Sequence, residues 1–165
     1  MKLNELLLHD FLNTYNREDW YPPLLDALKG VTYSDAVWKP QEGNVNCIAE
    51  IVSHLLYFQE RLLRRLTDSI GQFQEASEND ETFRKAHKWS EEEWESLLKK
   101  VYKTNHDLHV LFEHMTDEGT QFKFKELTAA EMISGVTRHN AHHIGQIVML
   151  RKLHGSWPAT RKFIF

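Results

Sequence analysis

Met132-Ile-Ser-Gly-Val136-Thr-Arg-His139-Asn-Ala-His-His143-Ile-Gly-Gln146-Ile-Val-Met-Leu150 decides the fold class of this chain. The stretch has no proline, and its apolar residues recur at helical spacing. A helix turns about 100° per residue, so with Met132 at zero, Val136, Ile147 and Leu150 fall within an arc of about 60°. His143 falls at about 20° and His139 at about −20°, on the same apolar face. Gln146 lies beside them at about −40°, and His142 sits on the rim at about −80°. Two imidazoles one turn apart on one face are close enough to share a divalent ion. Without an ion, each needs a hydrogen-bond partner of its own, because a buried polar group left unpaired costs roughly 1–3 kcal/mol. The spacing is His-x-x-x-His without an intervening glutamate, so it is not the metalloprotease His-Glu-x-x-His helix.

Working outward, the rest of the chain also reads at helical period. Leu3, Leu7, Phe11 and Tyr15 give a first stripe over about Leu3–Arg17. Pro22 and Pro23 interrupt it, and a short continuation over Pro22–Lys29 stops at Gly30. Val31–Asn46 reads as a loop. A second helix is expected over Cys47–Leu66, with Asn46 as N-cap and Ile51, Leu55, Phe58 and Leu62 as its stripe. Thr67–Lys88 is polar apart from Phe73 and Phe83, and is long enough to cross between parallel helices. Ser90 with Glu93 forms a capping box that opens a third helix running to about Met115. After the loop Gly119–Leu127, Thr128 with Glu131 opens the fourth, which Gly155 and Pro158 end near His154. The tail Ala159–Phe165 is expected to pack back on the body. No strand is expected. Four amphipathic helices with mixed connections predict an all-α four-helix bundle, whose interior is a common place for a metal held between facing helices.

The bulk properties bound the function. At 165 residues the chain is one domain, 1–165, able to bury about 70% of its extended surface without disulfides. Its single cysteine, Cys47, fits a reducing compartment, and a cytoplasmic location is expected. Cys47 reads as packing, since nothing near it in sequence would lower its pKa. Met1–Leu12 carries Asn4, Glu5, His9 and Asp10, so it does not read as a signal peptide. No apolar run reaches transmembrane length. A formal net charge of −4 argues against nonspecific nucleic-acid binding.

Ten histidines invite a search for a third ligand. On the second helix, with Ile51 at zero, His54 falls at about −60°, on the edge of the buried stripe. On the third, His106 and His114 point to solvent and His109 is marginal. His9, His87 and His154 are assigned to the surface. Asn105, by contrast, lies at about 20° on the third helix, within its apolar stripe. It is a candidate to bind substrate or a metal ligand, or else a buried amide satisfied by backbone or water. Gln146 is a candidate to orient a ligand or to cap the pocket.

Two segments resemble the DinB/YfiT-like superfamily of metalloenzymes. Asn46-Cys-Ile-Ala-Glu-Ile-Val-Ser-His54-Leu is similar to the family's helix ending in His-Leu. His139-Asn-Ala-His-His143-Ile-Gly-Gln146-Ile is similar to its His-x-x-x-His-x-Gly-Gln pattern. Leu28-Lys-Gly-Val-Thr32 and Trp38-Lys-Pro40 fall where the family places its connection. The resemblance implies an up-down-down-up bundle with the long crossover between helices two and three. It implies a three-histidine metal site, here His54, His139 and His143, and a homodimer. Its members include thiol-dependent transferases and isomerases and metal-dependent hydrolases.

Three neutral imidazoles leave a divalent ion with open positions, the pattern of catalytic sites. Zn, Ni, Mn and Fe all accept imidazole. Such an ion lowers the pKa of a bound water or thiol. The expected function is a metal-dependent enzyme acting on a small molecule, either as an S-transferase using a low-molecular-weight thiol or as a hydrolase. The alternatives are a noncatalytic metal-binding stress-response protein that recruits a partner, and a bundle that keeps the histidines without metal.

Overall fold

The computed structural model describes residues 1–160, apart from the side chain at position 86. The expected packing of the tail beyond 160 lies outside the described residues. Four long helices carry the fold: α1 (Leu3–Tyr15), α4 (Ile48–Leu66), α5 (Glu91–Glu113) and α6 (Ala129–His154). Two short ones, α2 (Leu24–Leu28) and α3 (Tyr33–Val37), lie between the first two of these. The described residues are mostly helical, so the all-α class holds. α1 and α4 each pack against both α5 and α6.

The caps follow side-chain chemistry. Ser90 and Thr128 accept from the backbone N–H groups of Glu93 and Glu131, whose carboxylates accept in return from the cap N–H groups. Gly155 ends α6 at φ 80°, a left-handed conformation that glycine adopts at little cost. In α1 only half of a capping box forms, the Glu5 carboxylate accepting from the Lys2 N–H at 2.8 Å, and Lys2 brings no side-chain acceptor. Asp117, beyond the end of α5, supplies one, its Oδ1 accepting from the N–H groups of Leu3 and Asn4.

Three local expectations need correction. Val31–Asn46 is not all loop: Thr32 and Asp35 form a capping box that starts α3, with the Asp35 N–H on Thr32 Oγ1 at 3.2 Å. Cys47, not Asn46, is the N-cap of α4, because its N–H reaches the Glu50 carboxylate at 2.9 Å. The loop before α6 holds a minimal hairpin, β1 (Lys123–Phe124) antiparallel to β2 (Leu127–Thr128), with Lys125 at φ 55° in its turn.

The core is divided along its length. One cluster gathers Leu55 from α4, Val101 from α5 and Ile144 from α6. The other gathers Leu62, Leu108 and Ile133 from the same helices, with Phe11 and Tyr15 from α1. Between them in each helix stands one buried amide: Gln59, Asn105 and Asn140. Asn105 Nδ2 donates to Gln59 Oε1 at 2.8 Å, and Gln59 Nε2 donates to Asn140 Oδ1 at 3.3 Å. This polar layer pins α4, α5 and α6 in one register, since a one-turn slip would break both bonds between helices and leave buried amide groups unpaired. The histidine pair on α6 brackets the same level, with His139 beside Asn140 in the chain.

Candidate metal centre

α4 and α6 bring three imidazoles together. His54 is 2% exposed, deeper than its edge position on the stripe suggested. His143 is buried and His139 half-buried, both turned inward. His54 Nε2 lies 2.8 Å from His139 Nε2, and His143 Nε2 lies 3.1 Å from the same atom. These two spacings are close to the about 3 Å that separates neighbouring nitrogens when each is about 2.0–2.1 Å from one ion, and the three ligand atoms all lie within 4.8 Å of one another. His54, His139 and His143 form the one group of three or more side chains among the described residues that could hold a metal ion. His142 is exposed, as its rim angle indicates. His154, assigned to the surface, is instead partly covered. Its ring stacks on Trp38 at 4.6 Å and its Nε2 lies 3.3 Å from Asp35 Oδ1, far along α6 from the cluster.

The outer nitrogens fix the tautomers. Thr82 Oγ1 donates to the Asn79 carbonyl at 2.6 Å, so toward His54 Nδ1, 2.5 Å away, it is the acceptor. His54 therefore carries its proton on Nδ1 and presents a lone pair at Nε2. Gln146 Nε2 lies 3.1 Å from His142 Nε2, which leaves its Oε1 to accept from His143 Nδ1 at 2.7 Å. His143 too presents a lone pair at Nε2. His139 resolves nothing by itself. Its Nδ1 is buried without a hydrogen-bond partner. With the proton on Nδ1, three lone pairs face one another and Nδ1–H is a buried donor without a partner. With the proton on Nε2, only one of the two facing lone pairs is served and Nδ1 is an orphaned acceptor. A cation at the meeting point uses all three lone pairs, so the donor set fits a divalent metal ion.

The surroundings keep these imidazoles neutral. Burial, and then the neighbouring rings, push His54 down to about 3. Burial, and then His143, His142 and Arg61, bring His139 to about 4. His143 is lowered by burial, against a contrary pull from Gln146. Neutral imidazole is the form that ligates metal. Cys47 is wholly buried and burial raises its thiol pKa, in keeping with a packing role.

Two residues here went unassigned in the sequence. Thr82, from a 3-10 turn in the long connection, holds His54. Phe83, next to it, stacks on the His54 ring with centroids 3.9 Å apart and planes 10° from parallel. An isolated apolar residue in a polar stretch was the available signal for Phe83, and nothing marked Thr82. Gln146 stands where the helix angles put it. Asn105 spends both amide N–H groups inside the core, on Gln59 and on the Val101 carbonyl, and connects toward the histidines through Gln59 and Asn140.

A mostly helical protein with three inward-turned histidines brought together from two helices is thus the class that fold and site define. Residues 21–147 match the model of the DinB superfamily, and the chain belongs to that superfamily. No curated protein and no solved structure matches it.

Proposed function

We propose that this protein is a metal-dependent enzyme in which His54, His139 and His143 hold one divalent ion, Zn, Ni, Mn or Fe, and which acts on a small molecule as a thiol-dependent S-transferase or a hydrolase. The observation that carries the reading is the convergence of three Nε2 lone pairs, with the outer protons of His54 and His143 held by Thr82 and Gln146. The ion, when bound, supplies Lewis acidity that brings a water or thiol toward its nucleophilic anion near neutral pH. The chain supplies the rest. Thr82 and Gln146 fix ring orientation. Phe83 and Phe58 cover His54 on two sides and limit water around it.

Access favours an enzyme over a buried structural site. His139 lines a cavity of about 280 Å3 shared with Phe58, Leu62, Met132 and Val136. A structural metal site is closed by its ligands, whereas a catalytic one opens to a pocket. The architecture we assign is the up-down-down-up four-helix bundle, with the connection between α4 and α5 as its crossover, acting as a homodimer in the cytoplasm. The pairing of α1 and α4 with both α5 and α6 supports the bundle. No described helix is long and apolar enough to cross a membrane.

The test is a turnover screen of metal-loaded protein, comparing electrophilic substrates plus small thiols with ester and amide substrates. Turnover that disappears on chelation and returns with metal supports the reading. A protein that binds metal and turns over neither class contradicts it in favour of a noncatalytic role.

A further inference from the structure

We propose that the ligand taken beside His139 carries an oxyanion, received by Arg61, on an apolar body that fills the adjoining cavity. This deepens, and rests on, the reading of the three-histidine group as a catalytic centre.

Arg61 projects from α4 two turns after His54 and lines the same cavity as His139. Its guanidinium lies over the Phe58 ring, with Cζ 4.6 Å from the centroid. That same ring packs against His139 at 4.8 Å and against His54 at 4.8 Å. One aromatic ring therefore separates the cation from the histidine group. A guanidinium seated over a ring keeps its N–H groups at its edge; the Tyr57 hydroxyl takes part of that capacity, and the rest can meet a carboxylate or phosphate.

Glu75 acts on Arg61 through its charge but is hydrogen-bonded to Arg65. Among the described residues no carboxylate forms an ion pair with Arg61, whereas its neighbour Arg65 pairs with Glu75 at 2.7 Å. Glu131, also in the cavity wall, spends Oε2 on the Thr128 N–H and hydroxyl at the cap of α6. Arg61 is half-buried, and desolvation followed by the nearby Arg65 lowers its pKa. A cation in that position gains most from an incoming anion, because part of its water is already gone. Leu62, Met132 and Val136 give the rest of the cavity an apolar lining that suits a hydrocarbon portion.

The experiment is calorimetric titration of the full chain with hexanoate, hexyl phosphate and uncharged hexanamide, on zinc-loaded and on chelator-stripped protein. At least one anion should bind about tenfold tighter than the amide in both forms, as a charge-assisted pair contributes. The tighter of the two anions identifies carboxylate or phosphate as the natural group. Arg61→Gln should reduce that anion to the level of the amide, and Arg61→Lys should fall between. Equal binding of amide and anions in the wild-type protein overturns the proposal, and this comparison needs no variant to fold. So does an anion whose affinity survives Arg61→Gln but vanishes on stripping zinc, since it then sits on the ion. Anion preference in a protein that never retains metal would sink the catalytic-centre reading and leave the Arg61 site standing. Retained metal without anion preference does the reverse.

Discussion

Replacing Thr82 with valine removes one oxygen and keeps the shape of the side chain. That oxygen accepts the proton of His54 Nδ1 and, in the other direction, donates to the Asn79 carbonyl. Two outcomes are open to the imidazole. It can keep its proton on Nδ1, leaving a buried donor unpaired at a cost of roughly 1–3 kcal/mol. Or it can move the proton to Nε2, which restores nothing at Thr82 and places a hydrogen where the three lone pairs meet. Either way the form that offers Nε2 to a metal is disfavoured. The magnitude expected is that of losing an outer partner of a metal ligand, about 10–100-fold in affinity. Thr82 lies on a 3-10 turn at one side of the cluster, so the helical frame should persist. The assay is competition for zinc against a chromogenic chelator, with melting of the metal-free protein as control. Thr82→Ser, which keeps the oxygen, should bind as the wild type does. A Thr82→Val protein that melts normally and holds zinc within about twofold of wild type would refute the tautomer argument.

Other consequences are open to simpler measurements. Acid should release metal and stability together. The folded-state pKa values of His54 and His139, about 3 and about 4, lie below the ordinary 6.5. The unfolded chain then binds more protons between those limits, so this contribution is whole above about pH 6.5 and is lost as pH falls toward the folded values. Denaturant melts from pH 7.5 to 4 should show stability falling steadily, and a flat profile would contradict the assignment. Leu55→Ala, at a site with no solvent exposure, should cost about 2–5 kcal/mol in chemical denaturation, and a loss below 1 would mean the core is not packed there. Gln59→Leu should cost about 1–3 kcal/mol by stranding Asn105 and Asn140, and a neutral result would show that water replaces the amide.

Much of this was legible in the residues. Both serine and threonine capping boxes stand where the pattern Ser/Thr-x-x-Glu puts them, because a cap is a local hydrogen-bond exchange. The inward turn of His139 and His143 followed from angle alone, since α6 is regular from end to end. His54 was harder. Its angle placed it on the margin of the α4 stripe, and what buries it is the connection folding over it with Phe83 and Thr82. That is tertiary packing from a segment with no periodicity to read. The start of α3 was missed because its box uses Asp35 rather than glutamate. The N-cap of α4 was misplaced by one residue because Glu50, buried three positions on, selects Cys47. The polar layer left its mark in the sequence only as Asn105 inside an apolar stripe, since its partners lie on other helices.

The account rests on one ion held jointly by side chains of α4 and α6. Metal stoichiometry of purified protein, by elemental analysis of the wild type and of His54→Ala, His139→Ala and His143→Ala separately, tests it most directly. One equivalent in the wild type and substantial loss in each variant is the predicted result. Full metal content in His54→Ala, with the fold intact by circular dichroism, would contradict it.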